Sequence, residues 1–229
     1  MKKLGIVGGI GPEATIDYYR MIIELCLIER QNYPEIIVYS INMNKMLDMT
    51  ERGDLDELVQ YLLTALDALK NAGADFAIIA SNTPHMVFDT LQEESPLDLL
   101  SIVEATCKKA ILSKMRRLLL LGTKFTMKSS FYRRVFSREG IEIVVPEDNE
   151  IEYIHDRIFK ELELGNIVQE TKTRILEIVS RIKQKEGIEG VILGCTELPL
   201  MFPEDELGIN FLNTSRIHVE SALTRMVES

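Results

Sequence analysis

The sequence predicts an α/β protein made of two similar halves, each a mostly parallel sheet flanked by helices. Two observations carry this prediction. Short apolar runs alternate with amphipathic stretches of helical period, the pattern of strand–helix–strand units. Two separated blocks of residues also recur at a single spacing of 114 positions.

The runs that read as strands are 3–8, 36–41, 75–80, 97–101, 117–121, 141–145, 189–193 and 209–212. Amphipathic helices lie between most of them. The helix expected over 54–72 closes on Gly73, a residue type suited to the left-handed turn that ends helices. A last helix starts at Thr214 and runs to the end, with Ile217, Ala222 and Met226 among its apolar positions.

The repeat is specific in its residues. Gly8 and Gly122, Gly73 and Gly187, Asp75 and Glu189, Ile78 and Ile192, and Phe88 and Phe202 all stand 114 positions apart, as do Ser81 and Cys195. This divides the chain into a first half, 1–100, and a second, 101–213, related by a pseudo-twofold axis, with the C-terminal helix 214–229 packing on the first. The plainer alternative is one long doubly wound sheet with accidental matches.

Composition narrows the class. Apolar residues make up 46% and charged residues 27% of 229 positions, ordinary for a globular protein. A net charge of −10 disfavours nucleic acid and anionic membrane as partners. No apolar run approaches the ~20 residues needed to span a bilayer. The opening MKKLGIVGGIGPE is broken by glycines, unlike a signal peptide, so a cytoplasmic location is expected. Three cysteines, at 26, 107 and 195, form neither a disulfide framework nor a CxxC metal pair.

Ligands of open α/β sheets bind beyond the carboxyl ends of the strands. In ADFAIIASNTPHMVF (74–88) that end holds Ser81; in IEGVILGCTELPLMF (188–202) the matching place holds Cys195. A pseudo-twofold would set the two on opposite sides of one cleft. Stereoinversion by two groups needs that arrangement: one removes the Cα proton from one face and the other delivers a proton to the opposite face. The bland readings are a buried small hydrophobe for Cys195 and a helix cap for Ser81.

GGIGPEAT after the first strand, SNTPH after the third and ILGCTELP in the second half resemble the aspartate/glutamate racemase family. The resemblance covers nearly the whole chain and implies a cofactor-independent, homodimeric amino-acid racemase with two pseudo-symmetric α/β domains. The family pattern has cysteine in both segments, so Cys195 matches and Ser81 departs. A thiol, with pKa ~8.5, reaches its anion far more readily than a hydroxyl does, and Ser81 needs a partner to act as a base. It could relay a proton from His85, orient a water or bond the substrate.

Asn82, Thr83 and Thr196 follow the two strands, where free backbone N–H groups could hold a substrate carboxylate. Glu197 is assigned to substrate binding beside them. Gly9 and Ile10 lie in the glycine loop, where backbone can approach the substrate. The resemblance adds Thr123 and Thr126 as hydroxyl donors. It also places Arg52, expected in a loop, where aspartate-specific members hold the side-chain carboxylate, a task suited to a bidentate guanidinium. Where those enzymes use a lysine before Gly-Asn, this chain has Glu163, which would repel a dicarboxylate. His155 and His218 read as ordinary surface or packing residues, and Cys26 and Cys107 as helix core.

Three alternatives remain. GIGPEA fits the dinucleotide pattern GxGxxA, but the second strand ends in Ser40, Ile41 and Asn42 with no ribose-binding acid. A one-cysteine decarboxylase or isomerase would use the same scaffold, and so would a non-catalytic binder of small acids. No cofactor or metal is expected, and the partner is a small amino acid or carboxylic acid.

Overall fold

In the computed structural model, residues 1–227 are described; positions 228 and 229 of the expected C-terminal helix lie outside them. The chain forms two compact units, Met1–Ala105 with Ser215–Ser229, and Thr106–Thr214.

The first unit runs β1 (Leu4–Gly8), α1 (Pro12–Arg30), β2 (Ile36–Ser40), α2 (Met43–Arg52), α3 (Leu55–Asn71), β3 (Phe76–Ile79), a 3-10 turn (Thr83–Val87), α4 (Phe88–Glu94) and β4 (Asp98–Leu100). α5 (Ile102–Leu112) then leads into the second unit: β5 (Arg117–Gly122), α6 (Lys124–Lys128), α7 (Phe131–Arg138), β6 (Glu142–Val144), α8 (Asp148–Lys160), a 3-10 turn (Leu162–Leu164), α9 (Gln169–Glu186), β7 (Gly190–Gly194), α10 (Leu198–Met201) and β8 (Asn210–Asn213). α11 (Thr214–Val227) returns to the first unit.

Each unit holds a four-stranded sheet of parallel pairings, ordered β2-β1-β3-β4 in the first and β6-β5-β7-β8 in the second. The 114-residue spacing extends to the register. Leu4 pairs with Phe76, and Leu118 pairs with Gly190 at the shifted positions. Asp75 donates its N–H to the Lys3 carbonyl (2.9 Å) while its carboxylate accepts the Lys3 N–H (2.6 Å). Glu189 does the same to Arg117 (2.9 and 3.1 Å) and also accepts the Arg116 N–H. An acid before the third strand of each unit thus clamps the start of its first, which is why that position is acidic twice.

The sheets are apolar on both faces because helices cover both. In the first unit Val7, Ala77 and Ile79 face α2 and α3, while Leu4, Ile6, Phe76 and Ile78 pack with Tyr18 and Ile22 of α1 and with Val219, Ala222 and Met226 of α11. This is the period-two alternation of a strand. In the second unit Leu118 to Leu121 and Val191 to Leu193 are buried, and α9 presents Ile175, Ile178, Val179 and Ile182 at helical spacing. All eight expected strands form, with ends shifted by at most one residue because ladder hydrogen bonds, not apolar runs, set them.

Candidate active site

In the first unit the carboxyl ends of β1, β2 and β3 meet. Gly9 adopts φ +83°, and a Cβ there would lie 2.5 Å from the Ile41 carbonyl oxygen, so only glycine fits. Its N–H donates to the Thr15 hydroxyl of α1 (2.8 Å), and Ile10 is buried beside it. Past β3, Ser81, Asn82 and Thr83 are all buried. The N-cap of the 3-10 turn is Asn82, so Ser81 is not a helix cap. Ser81 donates its N–H to the Ile79 carbonyl (2.8 Å).

His85 accepts the Ile102 N–H at Nε2 (3.2 Å), so its proton is on Nδ1, which donates to the Ser81 carbonyl (3.0 Å). Both ring nitrogens serve backbone, which removes the relay from His85 to the Ser81 hydroxyl. Burial and neighbouring His218 lower its pKa to about 3. Of the surface and packing readings, His218 takes the packing one. Fully buried, it bonds the Leu100 carbonyl (2.9 Å) and the Tyr18 hydroxyl (3.1 Å), and burial lowers its pKa to about 4. His155 accepts the Lys124 N–H (3.4 Å) and packs against Phe125 and Phe159.

Arg52 is in the last turn of α2, not in a loop. Its guanidinium is engaged by Asp48 (3.1 Å), Asp54 (3.6 Å) and Glu57 (2.9 Å). Three carboxylates already occupy the fork expected to receive a substrate carboxylate.

In the second unit Cys195 directly follows β7 and is 7% exposed. Its thiol donates to Glu197 Oε2 (2.8 Å), and the Thr196 hydroxyl donates to the same oxygen (2.9 Å). Thr123 caps α6 by accepting the Thr126 N–H (3.3 Å), and the two hydroxyls lie 3.3 Å apart. Thr126 packs on Gly194, where a Cβ would meet its Cγ2 at 3.3 Å, so both threonines flank the turn that carries Cys195.

Electrostatics here are unusual. Burial pushes the Cys195 thiol well above its ordinary range, the charge and side-chain hydrogen bond of Glu197 push it further, and the charge of Glu163 adds to the rise. Glu163 lies in the 3-10 turn Leu162–Leu164, which packs on α10, and is raised to about 7 by burial and then by Glu197. One thiol therefore faces two acids. The sequence suggested Glu197 as a substrate contact; the available signal for its bond to the thiol was the two-residue spacing at a strand end. Nothing in sequence distance linked Tyr18, His85 and His218.

Among the described residues no group of three or more His, Cys, Asp or Glu could hold a metal ion, and no helix is long and apolar enough to cross a membrane.

The profile of the family described as Asp/Glu/Hydantoin racemase matches residues 7–222. The chain is 24% identical over 226 residues to the broad specificity amino-acid racemase RacX of Bacillus subtilis (strain 168), covering 96% of each chain. It is 38% identical to an aspartate racemase homologue from Pyrococcus horikoshii OT3, whose crystal structure superposes with TM-score 0.84 over 100% of both chains. Picrophilus torridus aspartate racemase shares the fold at TM-score 0.80 and 20% identity, over 99% of this chain and 94% of that one. The chain belongs to the Asp/Glu/Hydantoin racemase family.

Proposed function

We propose that this protein racemises amino acids by exchanging the Cα proton without pyridoxal phosphate, with Cys195 and Glu197 as one acid/base and Ser81 supplying the opposite face. The carrying observation is the 2.8 Å bond from the Cys195 thiol to the Glu197 carboxylate at the end of β7, in a chain of a racemase family. The pair holds one proton. Its transfer from Sγ to Oε2 creates a thiolate. That thiolate takes the Cα hydrogen as the C–H bond electrons remain on the substrate, and a proton from the Ser81 side completes inversion. The pair works in reverse by giving the Sγ proton to the planar carbanion. A thiol raised so far is a strong base once ionised, as a carbon acid requires.

The substrate side chain is neutral or basic. Arg52 is neutralised by its own neighbours, and Glu163 stands beside the thiol. A dicarboxylate would meet repulsion and no free cation at these places. The broad specificity of the Bacillus subtilis relative supports this breadth.

One observation favours a second reading. With both nitrogens of His85 committed to backbone, Ser81 has no histidine base, which suits a decarboxylase or isomerase that protonates one face only. The experiment is to incubate both enantiomers of each amino acid in deuterated buffer and separate them by chiral chromatography. Racemisation puts label in both enantiomers, faster for neutral or basic substrates than for aspartate and glutamate. Label confined to one enantiomer supports one-face chemistry, and no exchange with any amino acid removes the racemase reading and leaves the non-catalytic binder. Ser81→Cys raises the rate and evens its two directions; a folded variant with no gain counts against opposed groups.

A further inference from the structure

We propose that His85 is a positioning residue for the reaction, holding the Ser81 peptide through a fixed neutral tautomer rather than moving a proton itself. This rests on the racemase reading above, since the effect concerns the Ser81 face of the substrate.

The geometry is a backbone clamp. Ser81 is fixed on both sides of its Cα: its N–H goes to the Ile79 carbonyl (2.8 Å) and its carbonyl receives His85 Nδ1–H (3.0 Å). The preceding residue, Ala80, is tied to the neighbouring strand through Val7 (2.9 Å). With both peptide groups held, the hydroxyl turns only about χ1, on a pivot that cannot shift. His85 is itself held. Its ring is 1% exposed, stacks on Phe88 at 4.9 Å and 6°, and meets the edge of His218 at 6.3 Å.

The anchors come from distant sequence. Ile102 donates to His85, and Leu100, on the other side of Ser101, accepts from His218, so the two imidazoles grip the turn from β4 into α5. Tyr18 of α1 completes the set through its hydroxyl. A protonated His85 would point Nε2–H at the Ile102 N–H, donor against donor. The ring therefore fits its place only as the Nδ1–H form, a shape without a proton to exchange.

The test compares half-reactions. Deuterium wash-in at Cα is measured from each enantiomer separately, and Ser81→Ala identifies the enantiomer whose exchange depends on Ser81. In His85→Ala, kcat for that enantiomer falls about 10-fold or more, as small misplacements of reacting groups do, while the other keeps its rate within about twofold. His85→Asn, whose amide N–H can stand where Nδ1 stood, retains more of the lost activity than His85→Gln. Equal losses from both enantiomers in variants with unchanged melting, or full activity in His85→Ala, overturn the proposal. Nitrogen-15 NMR of the unaltered protein decides independently. His85 is expected as the neutral Nδ1–H tautomer that does not titrate between pH 8 and about 5; an Nε2–H tautomer or a titration near pH 6 overturns the clamp. Should wild type exchange no amino acid, the racemase reading fails, and the NMR result still tells whether the clamp exists.

Discussion

At the scale of single residues, the Cys195 thiol is governed by what surrounds it. Burial comes first, then the charge and hydrogen bond of Glu197. Glu197→Gln removes the charge, so the thiol ionises at lower pH, and alkylation of the Cys195 peptide by iodoacetamide, followed by mass spectrometry, moves its midpoint down. Racemisation falls in the same variant, because the proton has lost its partner. An unmoved alkylation midpoint contradicts the coupling. Of these residues, Cys195 was legible from the GCTE turn at a strand end. The loop expected around Arg52 is instead the last turn of α2, and Asp48 four residues earlier on the same helix was the available signal for its ion pair. The clamp from His85 to His218 was not legible, since it joins residues 133 positions apart that meet only once α11 docks.

At the scale of elements, the strands were readable because apolar runs between glycines leave few alternatives, and the repeat was readable because each unit needs the same small residues at the same turns. The glycine loop illustrates the constraint. Gly9→Ala puts a methyl group against the Ile41 carbonyl in a left-handed backbone and should lower stability by about 1–3 kcal/mol or distort the loop. Gly73→Ala, at φ +93° with nothing within 4 Å, carries the backbone cost alone, about 1 kcal/mol. Thermal melts followed by circular dichroism compare them; equal losses contradict the steric account. The hidden part was the pair of acid clamps: Asp75 and Glu189 read only as the first residues of two expected strands until the first strand of each unit is laid beside them.

At the scale of the whole molecule, stability depends on keeping two imidazoles neutral. Unfolded histidine titrates near 6.5, whereas His85 and His218 hold out to about 3 and about 4. The stabilisation is complete above pH 6.5 and drains away as pH falls toward 4, because the unfolded chain takes up protons that the folded chain refuses. For two groups the slope approaches about 2.7 kcal/mol per pH unit. Glu163 acts in the opposite sense: raised to about 7, it binds a proton in the folded state first and offsets part of the loss, a part reduced by its partial exposure to solvent. Urea unfolding between pH 7 and 5 should therefore show falling stability, steeper in Glu163→Gln; stability that is flat across this range contradicts the buried neutral pair.

The most direct test of the central claim is solvent-deuterium exchange at Cα by Cys195→Ala, measured beside wild type on the best substrate found. A folded protein is expected in which racemisation is lost and exchange disappears from the enantiomer whose Cα hydrogen faces Cys195, since Glu197 acts only through the thiol that it accepts from. Exchange from that enantiomer that continues at the wild-type rate would remove the Cys195–Glu197 pair from the chemistry.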